Sequence, residues 1–238
     1  GRHAWELTGF DVVIASAQTL AREARLAELQ KAIPDLPLML VDESHHAMAE
    51  TWRRAIETLN PRLLVGLTAT PKRGDGVGLD GLFQEIVYSL PMRDLVEVGK
   101  LARPIGLRVG TSVDLGAVHT RGGEFVESEL STVINTPQRN GLVVDAWEKH
   151  IRDGGRKRTI AFCVDVAHAH DLCTTFRARG HVADVVTGAT PTDERARMYR
   201  DLKSGALPVL ISVMVLTEGF DEPLVDSALM CRPTQSQA

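Results

Sequence analysis

With 238 residues, 44% of them hydrophobic and 24% charged, the chain has the make-up of an ordinary soluble protein able to bury one large core or two modest ones. A formal net charge of -4 gives no general basic coat for nucleic acid, so any grip on a polyanion has to be local. No apolar run reaches the roughly 18 residues that cross a membrane, and no charged-then-apolar leader precedes the first strand, so a cytoplasmic protein with no membrane partner is expected.

Along the chain, residues 11–15 (Asp-Val-Val-Ile-Ala) predict a β-branched strand that breaks at Ser16-Ala17-Gln18-Thr19 before a helix over 20–31. Leu20, Leu26, Leu29 and Ile33 give that helix an apolar side. A strand ending in hydroxylated residues at a helix start presents backbone N–H groups and the Thr19 hydroxyl to a phosphate. The plainer alternative is Ser16 as a helix N-cap.

Residues 36–46, Leu-Pro-Leu-Met-Leu-Val-Asp-Glu-Ser-His-His, form an apolar run that stops on two adjacent carboxylates. An unalternating Leu, Met and Val run suits a strand covered on both faces in a parallel sheet, and such sheets bind ligands at the carboxyl ends of their strands. Asp42 and Glu43 then sit at the mouth of a crevice. The chemistry that suits them is a hydrated Mg2+ on a nucleoside triphosphate, with Asp42 on the metal through water and Glu43 orienting or deprotonating the attacking water. Alternatively, the two acids only favour the start of the next helix.

A helix over 48–59 follows, closed by Asn60-Pro61. His45 and His46 point in different directions if helical, with no cysteine or third histidine nearby, so zinc is disfavoured. Residues 62–67 predict another apolar strand, ending at Thr68-Ala69-Thr70, whose two hydroxyls can hydrogen-bond a neighbouring acidic loop. Glycines between 74 and 81 only partly fit a dinucleotide fingerprint and read as a loop, beside which Lys72 and Arg73 could approach a phosphate backbone. Residues 83–90 predict a strand, and Pro91 opens a short helix ending near Gly99. Over 100–135 the texture changes to short pieces with many glycines, an interdomain connection with hairpin-like strands and a small helix from Glu124.

A second α/β unit begins with a helix over 140–151. The basic run Arg156-Lys157-Arg158 reads as a solvated turn before a strand over 159–164. His168 and His170 lie two apart on the next helix and do not face each other. A strand over 182–186, a helix over 192–203 and a buried strand over 208–213 lead to Thr217-Glu218-Gly219-Phe220-Asp221-Glu222-Pro223, where Gly219 lets backbone approach a ligand closely. Cys163, Cys173 and Cys231 never form a Cys-x-x-Cys pair, so neither a zinc site nor a disulfide framework is expected, and they read as small core residues.

Asp42-Glu43-Ser44-His45 resembles the Walker B box of superfamily 2 helicases of the DExH branch, Thr68-Ala69-Thr70-Pro71 their third motif, 216–223 their fifth, and Arg232-Pro233-Thr234 the lead-in to their sixth. Order and spacing match over nearly the whole chain, with most similarity to phage-like and repair-type helicases and restriction-enzyme motor subunits. The resemblance implies an α/β protein of two RecA-like domains with mostly parallel sheets flanked by helices: 1–95 from the first, 96–136 connecting, 137–238 from the second. It further implies ATP and Mg2+ as cofactors and single-stranded or duplex nucleic acid, DNA in the first place, as partner.

By residue, the resemblance implies Gln18, Thr19 and Thr217 on the nucleic-acid backbone, and Gly219 and Asp221 facing the nucleotide. Ser44, Thr68 and Thr70 would couple the two sites, with His45 linking the nucleotide site to Thr68. The chain holds no Gly-x-x-x-x-Gly-Lys-Thr loop and no Gln-x-x-Gly-Arg-x-x-Arg segment. With no initial Met it reads as part of a longer protein, close to inactive alone, since an arginine finger is worth roughly 10³–10⁵ in rate. Two alternatives are a nucleic-acid-binding remnant without the motor and a metal-dependent phosphohydrolase using Asp42, His45 and His46.

Overall fold

A computed structural model describes residues 12–70, 79, 81–111, 113–216 and 220–234. The chain divides into two compact units that meet in sequence at Pro104 and Ile105.

In the first unit the predicted helix over 20–31 appears as two, α1 (Ala17–Leu20) and α2 (Glu23–Ala32). The break falls at Arg22, whose backbone is extended. β1 (Leu38–Val41) and β2 (Leu63–Gly66) pair in parallel, with Leu38 against Leu63 and Val41 against Gly66. Between them run a 3-10 turn (Ser44–His46) and α3 (Glu50–Leu59), which ends on Asn60 in the left-handed region at φ 41° just before Pro61.

Alternation along β1 directs Met39 and Val41 at apolar residues of α2 and α3, among them Leu26, Ala55, Ile56 and Leu59. Leu38 and Leu40 take the other face and are 44% and 62% exposed, so β1 is not covered on both faces as expected. Neither 12–15 nor 83–90 forms a strand. Ile86, Val87 and Tyr88 lie exposed outside any regular element, because β propensity yields a strand only where a partner supplies the ladder. α4 (Met92–Glu97) starts after Pro91 and is followed by Gly99 at φ 72°.

The second unit opens with the hairpin β3 (Thr120–Arg121) and β4 (Glu124–Phe125), whose turn residues Gly122 and Gly123 both have positive φ, as a tight two-residue hairpin turn requires. α5 (Glu127–Ile134) comes next. α6 (Pro137–Trp147) starts earlier than predicted because Thr136 caps it and Pro137 takes its first position, and it runs into a π turn, Glu148–Arg152. β5 (Thr159–Phe162), α7 (Val166–Ala178), β6 (Ala183–Val186), α8 (Thr192–Ser204), β7 (Val209–Ser212) and β8 (Ser227–Met230) complete it.

The sheet is wholly parallel in the order β6-β7-β5-β8. Residues of β5, β6 and β7 pack against α6 and α7 on one face, through Trp147, Leu172 and Phe176, and against α8 on the other, through Met198 and Leu202. β8 has no counterpart in the sequence reading, because four residues with two exposed carry little apolar pattern. Its entry is fixed instead by Asp226, whose carboxylate accepts the backbone N–H groups of Lys157 and Arg158, and by the Thr159–Ser227 hydroxyl pair at 2.8 Å.

Candidate nucleotide-hydrolysis site

The carboxyl ends of β1 and β2 lie side by side, and two backbone bonds continue the pairing past the strands. The N–H of Leu67 donates to Val41 O at 2.8 Å, and that of Ser44 to Leu67 O at 2.9 Å. Ser44 is therefore buried between the tips, 1% exposed, beside Gly66. A Cβ at Gly66 would stand 2.8 Å from the Ser44 Cβ and 2.7 Å from the Phe83 ring, so only glycine fits.

This junction holds Glu43 at φ 48° and ψ 47°, in the left-handed region that a non-glycine residue enters at a cost. The carboxylate of the exposed Asp42 accepts the Glu43 N–H through Oδ1 at 3.0 Å. His45 Nδ1 lies 3.0 Å from Thr68 Oγ1 and 3.4 Å from Glu43 Oε2, so one ring nitrogen meets both the acid and the hydroxyl loop. Thr68 Oγ1 in turn donates to Thr70 O at 3.2 Å and accepts the Thr70 N–H at 3.1 Å. Asp42, Glu43, Ser44, His45, Thr68 and Thr70 thus form one connected cluster at two strand tips.

Chemically, the cluster offers hard oxygen donors at a solvent-facing edge, where a hydrated Mg2+ fits better than a softer metal. Among the described residues no group of three or more His, Cys, Asp or Glu side chains is placed to hold a metal directly. The rings of His45 and His46 lie 4.1 Å apart and tilted. Asp42 is the residue that would hold Mg2+, through water.

At the other expected positions, Ser16 caps α1. Its Oγ accepts the Thr19 N–H at 3.2 Å and lies 3.0 Å from Thr19 Oγ1, while Gln18 and Thr19 remain exposed. The capping reading therefore holds for Ser16, and the side chains of Gln18 and Thr19 reach solvent. Asp221 is exposed beside Phe220, which packs on Tyr199 at 5.4 Å between centroids. Thr217 and Gly219 lie outside the described residues.

Residues 4–73 match the family described as type III restriction enzyme, res subunit, and residues 143–238 match the helicase conserved C-terminal domain. The chain belongs to the superfamily 2 helicases. In this family it is 28% identical over its whole length to IRC3 of Saccharomyces cerevisiae, named as an ATP-dependent helicase. It is 32% identical over 91% of its length to irc3 of Schizosaccharomyces pombe, named as a mitochondrial ATP-dependent helicase. An endonuclease subunit of the type I restriction enzyme EcoAI from Escherichia coli is 28% identical over 68% of the chain and is covered to 22% of its own length. The chain spans 35% and 36% of the two yeast relatives.

Two contacts around Arg232 escaped the sequence reading. Met214, just past β7, stands at φ 53°, and its sulfur accepts a hydrogen bond from Arg232 Nη1 at 3.1 Å. Arg139 on α6 donates through Nη2 to Cys231 O at 3.0 Å, holding the chain just ahead of Arg232. Neither is readable in sequence, because each depends on a partner 18 or 92 residues away.

Proposed function

We propose that the whole protein is an ATP-dependent DNA helicase or translocase that couples Mg-ATP hydrolysis to movement along a strand. The observation that carries this reading is the bond from His45 to Thr68, which ties the acidic tip of β1 to the hydroxyl loop after β2. Mg2+, when bound, supplies charge neutralisation on the phosphates. Asp42 holds it through water, and Glu43 orients or deprotonates the attacking water, its side chain kept near His45. Ser44, Thr68 and Thr70 transmit the state of that site. Gly219 and Asp221 are the residues assigned to the nucleotide, and Gln18, Thr19 and Thr217 those assigned to the nucleic-acid backbone.

DNA is favoured over RNA by the restriction-enzyme relatives. In the full-length protein, Glu43→Gln should keep ATP binding while lowering hydrolysis by about 10²–10⁴ fold. Unchanged turnover removes the role given to Glu43. Stimulation of ATPase by single-stranded RNA but not by DNA reverses the choice of polymer.

A further inference from the structure

One residue beyond the last paired positions of β5 and β8, Phe162 and Met230, stand Cys163 and Cys231. The pairing continues there, with the Cys231 N–H donating to Phe162 O at 3.0 Å and the Cys163 N–H to Ser212 O at 3.0 Å. Ala161, Cys163, Leu229 and Cys231 all belong to the core on the α6–α7 side, whereas Ile160 and Phe162 pack into the opposite one. The two thiols therefore point the same way from neighbouring parallel strands, and both residues are 2% exposed. Neighbouring strands run about 4.8 Å apart, inside the Cα window of a disulfide.

We propose that Cys163 and Cys231 are a disulfide-forming site, oxidised by peroxide and reversed by a dithiol, which fastens the end of edge strand β8 to β5 immediately ahead of Arg232. This does not depend on the helicase reading. The neighbouring Cys231 thiol, and then burial, push the Cys163 thiol up, while the Cys163 thiol, against burial and helped by the positive charge of Arg139, pulls the Cys231 thiol down. With the Arg139 guanidinium bonded to its own carbonyl at 3.0 Å, Cys231 is the sulfur that attacks.

Its thiolate displaces hydroxide from the peroxide, breaking the O–O bond and leaving a sulfenic acid. Cys163 sulfur then displaces hydroxide from that sulfenic sulfur, the S–S bond forms, and the Cys163 proton leaves in water. In sum, two thiols and one hydrogen peroxide give one disulfide and two waters. Parallel neighbours hold their Cβ atoms farther apart than the ~3.8 Å mean of a relaxed disulfide, so closing the bond draws the strand ends together. A bond under such strain is readily reduced, which suits a switch better than a structural staple. Among the described residues β8 pairs with β5 alone, so its end yields more easily than an inner strand.

The test treats the 238-residue chain with hydrogen peroxide and counts thiols after denaturation. Three thiols should fall to one, and dithiothreitol should restore three. Cys173→Ala should go from two to none and Cys231→Ala should keep two, while Cys163→Ala should form no disulfide and lose only the Cys231 thiol, to a sulfenic acid. Where a variant fails to fold, fragmentation of linked peptides from the unaltered chain locates the bond. A 163–231 link with Cys173 alkylated supports the site. Three surviving thiols, a link through Cys173, a link between two chains, or sulfinic acid in place of a disulfide overturns it.

Discussion

Glu43 spends backbone energy to stand where it does. A left-handed non-glycine residue costs on the order of 1–3 kcal/mol and persists only when its surroundings over-determine it. Here they do: Ser44 is locked below it, Asp42 accepts its N–H, and Gly66 leaves room for the turn. Gly66→Ala should therefore destabilise the first unit by about 1–3 kcal/mol in urea unfolding, since Ser44 and Phe83 must both shift. His45→Ala in the full-length protein should spare basal ATPase more than its stimulation by nucleic acid, because it removes the link to Thr68 while Asp42 and Glu43 remain.

His168 tells a different story at the same scale. It is fully buried, its Nδ1 accepts the Val164 N–H at 3.4 Å, and its Nε2 has no partner among the described residues. Burial first, then Arg139, lowers its pKa from 6.5 to about 4, against the opposing pull of Asp165 and Asp171. A depressed value means the unfolded chain binds the proton first. Its contribution to stability is whole above about pH 6.5 and drains away as pH falls toward about 4. Unfolding free energy should drop by roughly 2 kcal/mol from this group between pH 7 and pH 5, and His168→Gln should flatten that slope.

At the scale of elements, local chemistry and partners divide the work. α6 and α7 carry their own start signals, Thr136 followed by Pro137 and Asp165 accepting the His168 N–H, so each begins at its cap. Thr136→Ala should cost about 1 kcal/mol, read as a lower urea midpoint for the second unit. Strands lack such autonomy. Residues 83–90 are as β-branched and aromatic as a strand needs, yet find no ladder among the described residues, whereas the weakly patterned 227–230 becomes β8 because Asp226 and Thr159 deliver it to β5. Asp226→Ala should loosen β8 selectively, seen as faster amide exchange across 227–230 than across β7.

For the molecule as a whole, each unit has its own core, and the proposed polymer contacts are hydroxyl and amide groups instead of a basic surface. In the full-length protein, single-strand affinity should fall with salt at a log-log slope of about -0.7 per phosphate neutralised. Thr19→Ala and Thr217→Ala should weaken binding without changing that slope, since they remove uncharged contacts. A changed slope would place cations, not hydroxyls, at those contacts.

The sequence by itself determined the family, the α/β alternation and the residues of the acidic tip, because motifs and apolar runs are local in the chain. Tertiary structure alone decided the strain at Glu43, the sharing of His45 between Glu43 and Thr68, the placing of β8 and the meeting of Cys163 with Cys231. Each of these joins residues distant in sequence or fixes a backbone angle by packing, and no local pattern encodes either.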